Sequence, residues 1–426
     1  MKSIPRVLLA TGLLATGAVH AQDQGVFSAG LTGETTYDKI WSAVTLYKDS
    51  SNPILQEFSL QGRLQVQSIY GEADGDSYNT SDWKGGNGTA NDLKTWGNDI
   101  EVRRAYLGFK SKWFSSVKLE GQIDINTDGR DLQGNDPYYG DIYDLYAVYG
   151  TTDQFNVGIG KQELKITREQ EISSKEIVTF ERSLVANMLH PGNLTGVWVT
   201  GKNVADHWLY EVAVYGADQA REFSGFGHGA LYFGKIGYDY SAQSGLDTAV
   251  VSFRYTHNSN PGFQSDKNDG WFGQPTSPAF TDTLSLSNEI QSGRFGLTVD
   301  MNYGFGFSGQ ADRNGNSSVN VNQSDVFGLT IIPTYFIAPG LQLVGRLQFA
   351  TSADPDGIQV GSRYERLAAS GTGARGRGNT YTAQYVGLNW YLYGHKLKVM
   401  NGIEFSQLGG GDYDGYTAMT GLRMAF

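Results

Sequence analysis

The sequence predicts an all-β protein, a sixteen-stranded antiparallel transmembrane β-barrel with long outer loops and short turns. Three observations predict it. Segments about as long as a tilted membrane strand, ~10 residues, alternate between apolar and polar side chains. The gaps between them alternate long and short along the chain. The 426 residues include 56 Gly, 25 Tyr, only 10 Pro and no Cys, against a usual ~7% Gly and ~5% Pro. Such a composition suits many strands joined by turns. It excludes disulfides, thiolate zinc sites and a cysteine nucleophile.

The first element is a targeting segment. Lys2 and Arg6 precede an apolar run from Val7 to Val19, and Val19-His20-Ala21 offers a cleavage site. Residues 1–21 therefore read as a signal peptide, too short to span a membrane. The whole chain carries a formal charge of −11, which disfavours nucleic acid as a partner. Export without a second long apolar run leaves a soluble periplasmic protein or an outer-membrane barrel. In residues 22–53, Tyr37, Ile40, Trp41, Val44 and Tyr47 fall at helical spacing, which predicts a short periplasmic helix or plug.

Residues 54–426 read as one barrel. Phe58, Leu60, Leu64, Val66 and Tyr70 alternate with Ser59, Gln61, Arg63, Gln65 and Gln67. Val117, Leu119, Ile123 and Ile125 alternate with Lys118, Glu120, Gln122 and Asp124, and the pattern recurs over 293–307 and 341–350. A strand turns successive side chains to opposite faces, so each segment has one apolar and one polar face. Soluble sandwich strands would alternate too, but usually run only ~5–6 residues. The sixteen segments are 57–70, 100–110, 115–126, 141–150, 155–160, 194–202, 207–216, 228–241, 247–258, 280–290, 293–307, 325–337, 341–350, 380–393, 396–406 and 415–426. Long and short gaps between them give a meander whose loops gather at one rim. Strand-end aromatics such as Tyr143, Tyr149, Trp208, Tyr210, Trp390 and Tyr393 suit interface girdles. The chain ends on an amphipathic strand and Phe426, a terminus resembling the signal read by barrel-assembly machinery.

Enzymatic and nucleotide motifs are weak. Gly196 to Asn203 nearly matches a P-loop, but Asn203 stands where magnesium needs Ser or Thr, and the segment alternates like a strand. Asp124 to Gly129 matches half of a calcium loop, yet Asn135 replaces the bidentate Glu, so a solvated turn is expected. The six His have no metal-ligand spacing. No catalytic residue, metal ligand or cofactor site is assigned.

The basic residues say more. Arg63, Arg104, Lys118, Arg254, Arg294, Arg346, Lys398 and Arg423 fall at polar-face parity, with Glu120, Asp124, Asp144, Glu211, Asp300 and Glu404. In a barrel that face lines water, so eight cations against six anions lean toward anions, and arginine suits phosphate. The long gap 161–193 is the third outer loop. Its cations, Lys161, Lys165, Arg168, Lys175 and Arg182, are offset by Glu163, Glu169, Glu171, Glu176 and Glu181. Ile166, Ile172, Ile177, Val178, Phe180, Leu184 and Val185 argue that the loop packs against something, which the inner barrel wall could supply.

Several pieces resemble the phosphate-selective porin O and P family. They are Arg103-Arg104-Ala-Tyr-Leu-Gly-Phe109-Lys110, the strand Val117–Ile125, Val157-Gly-Ile-Gly160-Lys161-Gln162, Thr179-Phe180-Glu181-Arg182-Ser183-Leu184, Gly387 to Lys398, and the terminal strand. The resemblance implies a sixteen-stranded trimeric porin with an inward-folded third loop and basic constrictions that pass phosphate or polyphosphate. One departure is charge: the third loop here is as acidic as it is basic. The expectation is therefore an outer-membrane pore for small hydrophilic solutes, embedded in outer-membrane lipid as a homotrimer, with a mild preference for anions such as phosphate. The competing readings are a non-selective general porin, a barrel enzyme and a plugged structural or adhesive barrel.

Overall fold

The computed structural model describes residues 35–74, 95–126, 138–218, 222–227, 229–261, 280–307, 325–355, 357–359, 377–410 and 413–426. Sixteen strands close into one antiparallel barrel. They are β1 (Leu55–Asp74), β2 (Thr95–Trp113), β3 (Val117–Asn126), β4 (Tyr138–Thr152), β5 (Phe155–Glu163), β6 (Asn193–Val204), β7 (Trp208–Gly216) and β8 (Ala230–Asp239). The second half comprises β9 (Thr248–Asn258), β10 (Phe280–Ser292), β11 (Phe295–Phe307), β12 (Val326–Ala338), β13 (Leu341–Ser352), β14 (Thr380–Tyr393), β15 (Leu397–Gly409) and β16 (Tyr413–Ala425). Each pairs with its sequence neighbours, and β16 returns to β1 with Met424 opposite Leu64 and Leu422 opposite Val66. Closure leaves no open edge, so every strand satisfies its backbone polar groups inside the sheet.

The burial pattern is inside out relative to a soluble protein. Leu60, Leu64, Ile159, Val212, Leu343, Leu347, Val386 and Leu422 are exposed. Gln61, Arg63, Gln65, Gln67, Arg254, Asp300, Arg346, Lys398 and Arg423 are buried. Lipid is the solvent that makes this arrangement stable, since a Lys or Arg on the lipid face costs ~2–4 kcal/mol at the midplane. No helix among the described residues is long and apolar enough to cross a membrane; the strands cross. Exposed Tyr149, Phe155, Trp208, Phe295 and Trp390 cluster near the short-turn rim, where amphipathic rings suit the headgroup layer.

All sixteen expected segments coincide with observed strands to within a few residues. Tyr143 departs from the girdle. The pairing of β3 with β4 shifts between Gln122 and Ile123, so Tyr143 is an extra residue. That bulge keeps its ring inside, stacked on Tyr106. The last outer connection is also shorter than expected, spanning 410–412.

Before the barrel, helix α1 (Thr36–Ser42) starts with a capping box in which Thr35 and Asp38 exchange side-chain and backbone hydrogen bonds. It ends before Val44 and Tyr47, earlier than the helical spacing suggested, because Thr45–Lys48 pairs as a short strand with the start of β1. Trp41 Nε1 donates to the Ala425 carbonyl at 2.6 Å, and Tyr37 stacks on Tyr393. The helix is thereby fixed to the ends of β14 and β16.

Candidate functional site

The site is the inner wall together with the segment joining β5 to β6, residues 164–192. Two short helices shape it. Thr167 caps α2 (Arg168–Glu171), and Ser183 caps α3 (Leu184–Leu189). The side chains of Leu164, Ile166, Phe180, Leu184, Val185 and Leu189 are almost completely buried. Their sockets are wall glycines: a Cβ at Gly328 would meet Val185 at 2.4 Å, and one at Gly304 would meet Leu189 at 2.5 Å. Only glycine lets the loop come this close.

Polar contacts fasten the same loop. Arg103 makes a two-pronged ion pair with Glu181, at 2.6 and 3.0 Å, and Arg104 lies 3.6 Å from the same carboxylate. Both arginines face inward because β2 bulges between the partners of Gln65 and Val66. Arg346 pairs with Glu404 at 2.5 Å, lies 3.7 Å from Glu169, and donates to the Glu181 carbonyl. Glu171 pairs with Lys235 and Arg254, and Arg168 reaches Glu289 at 2.6 Å. Arg63 donates to the Ser174 hydroxyl, Lys398 to the Ile177 carbonyl at 2.6 Å, and Arg423 to the Phe180 carbonyl at 3.4 Å. The three basic partners hold the Glu171 carboxyl far below the usual range against the opposing effect of burial.

This placement changes the meaning of the expected cations. Arg63, Arg104, Arg254, Arg346, Lys398 and Arg423 stand on the inner wall, but each is engaged by the loop or by another wall side chain. Lys118 is half-buried on β3 and has Lys112 and Asp153 as charged neighbours. Arg294 is a correction: it lies exposed in the turn before Phe295, after Gly293 at φ 55°, so strand parity does not apply to it. Lys161 is another, since it belongs to β5 and is buried there rather than carried by the loop. Arg182 is structural, donating to the carbonyls of Glu169 and Ile172 and pairing with Glu163 at 3.1 Å. The ammonium groups of Lys165 and Lys175 make no hydrogen bond or ion pair among the described residues, although the Lys175 backbone N–H donates to the Ser173 hydroxyl at 3.5 Å. Burial, with Lys110 and Arg63 nearby, pushes the Lys175 ammonium down to about 8.

Sequence reasoning missed Arg103, which needs the bulge to face inward, and Lys235, whose partner Glu171 is sixty-four positions away. Gly196 to Asn203 lies in β6, with no helix after it to hold a phosphate. Of the half calcium loop, Asp124 and Asn126 end β3, and 127–137 lies outside the described residues.

A closed barrel with an apolar outer wall, a charged inner wall and a loop fastened inside defines an outer-membrane channel protein. The family model of phosphate-selective porin O and P matches residues 77–402, and the chain belongs to that family. No curated protein sequence matches it. Among solved structures it is similar to OmpF of Salmonella typhi in complex with daunomycin, at 12% identity and a TM-score of 0.56, over 90% of this chain and 100% of that one. It is also similar to a loop-deletion mutant of OmpT, an outer membrane protein of Vibrio cholerae, at 12% identity and a TM-score of 0.53, over 87% and 99%. These likenesses concern the fold. Family and fold together place the protein in the outer membrane of a Gram-negative bacterium.

Proposed function

We propose that the protein is a passive pore for small hydrophilic solutes, with a mild preference for anions that includes phosphate. The observation that carries this reading is the division of labour among cations. The arginines are spent fastening the loop, while Lys165 and Lys175 are carried on it without a bound carboxylate, and Lys118 stands on the nearby wall. A few uncompensated ammonium groups beside a narrowed passage raise the local anion concentration. Acids such as Glu120 keep the bias small. Assembly as a homotrimer, with membrane insertion directed by Phe426, belongs to the same reading.

The test is reversal potential in a potassium chloride gradient, with and without phosphate. Wild type should favour chloride modestly, and the bias should shrink at high salt. Lys165→Ala with Lys175→Ala should move the potential toward potassium and weaken any phosphate block. Unchanged potentials would assign the lysines no part in conduction. A second reading, a general pore without preference, predicts a wild-type potential near zero.

A further inference from the structure

The outward wall of β14, β15 and β16 breaks the apolar rule of a lipid-facing surface. Gln384 on β14 and Asn401 on β15 are exposed, and they alternate with the buried, inward Tyr385 and Met400. Across the pairing register, Leu388, Asn401, Thr420 and Ser68 form one outward row. Trp390, paired with Val399, lies one outward position closer to the short-turn rim. The rings of Phe405 and Tyr416, 6.0 Å apart, lie two outward positions closer to the long-loop rim. The row therefore runs between aromatic side chains, inside the apolar band. Thr420 Oγ1 donates to Asn401 Oδ1 at 2.6 Å. The Asn401 amide N–H groups find no acceptor among the described residues, and the Gln384 side chain makes no hydrogen bond among them. Hydrocarbon supplies neither donors nor acceptors, so amides that face it carry an uncompensated cost. Eight strands away, on the opposite side of the barrel, the row Val157, Val199, Val212 and Gly234 has no polar side chain. Asn288 of β10 also faces outward, but it is half-buried and its Oδ1 accepts from Tyr240 at 2.9 Å.

We propose that the outward wall of β14 to β16, centred on Asn401, is where a second copy of this chain packs. Only another membrane-embedded wall reaches a group at this depth. An amide is both donor and acceptor, so copies related by a rotation axis satisfy one another, each Asn401 N–H meeting the next copy's side-chain oxygen. The neighbouring Ala418 and Ser68 are small, which lets a facing wall approach closely. The inference rests on the reading of the protein as a homotrimer, to which it assigns a contact face.

The chain has no cysteine, so a single introduced thiol reports its own neighbours. Asn401→Cys and Val212→Cys are compared in outer membranes oxidised with copper phenanthroline. Asn401→Cys should give a dimer-sized product on reducing-agent-free gels, and Val212→Cys should not. Asn401→Leu with Gln384→Leu carries the test if the cysteine variant fails to fold. These changes suit a wall that faces lipid, so heat-modifiable folded barrel should be kept. The ratio of oligomer to single barrel in detergent should nevertheless fall about tenfold, the effect of losing one polar contact between membrane segments. Absence of a cross-link at Asn401, equal cross-linking at Val212, or an unchanged oligomer in the leucine variant overturns this face. The mass of wild type in detergent separates the two readings: a single barrel overturns the homotrimer as well, whereas an oligomer leaves it standing with its contacts elsewhere.

Discussion

The ring of Phe426 covers Gly62 on the lipid-facing side of the seam where the last strand meets the first. A Cβ at Gly62 would lie 2.4 Å from that ring. The backbones of the two residues also exchange hydrogen bonds, at 2.9 and 3.0 Å. The C-terminal aromatic is thus both the end of β16 and a patch over the start of the closing ladder. Gly62→Val should impair closure in the same way as deletion of Phe426. Heat-modifiable migration on gels measures this, and both variants should yield less folded barrel than wild type.

The Glu171 carboxylate gathers Lys235, Arg254 and Arg168. Glu171→Gln removes one negative charge from the passage and releases its cations. A unit charge at ~4 Å is worth about 1 kcal/mol even in bulk water, so the chloride-to-potassium permeability ratio should rise by up to about fivefold. The reversal potential measures it, and a shift toward potassium would show that the loop had left the wall instead.

Gly328 is the socket for Val185, and a valine there has nowhere to go. Overpacking of this kind costs ~1–3 kcal/mol, which α3 can relieve by leaving the wall. Gly328→Val should widen the passage, giving larger and noisier single-channel currents. Gly234→Val is the matching control, because a Cβ at Gly234 meets nothing within 4 Å.

At the short-turn rim, the Asp38 carboxylate accepts hydrogen bonds from Tyr393 and Thr35, and these lower its pKa from 3.8 to about 2. A carboxyl depressed in the folded state contributes stability above its unfolded pKa and loses it as pH falls through the folded value. Docking of α1 should therefore be constant above about pH 4 and weaken toward pH 2. Trp41 fluorescence reports it. Asp38→Asn should remove this acid-side dependence.

Much of the fold was legible because lipid on one side and water on the other enforce alternation along every strand. Phe295 to Phe305 and Leu341 to Phe349 need no tertiary information to be read. Charges near a turn or bulge were less legible. Arg294 has the right parity but lies past the end of its strand, and Arg103 has the wrong parity but a bulge turns it inward. The site was partly legible in the loop's equal count of acids and bases. That count did not show that Glu169, Glu171 and Glu181 are spent on wall arginines. Such pairing depends on strands far apart in sequence coming together.

Arg423 of β16 donates to Gln65 and Gln67 of β1 and, on the same guanidinium, to the loop carbonyl of Phe180. One side chain therefore ties together the first strand, the last strand and the loop. During biogenesis this anchor cannot be completed until the most distant parts of the chain have met. A barrel still waiting for its final strand lacks this fastening, and full narrowing of the passage marks a finished wall.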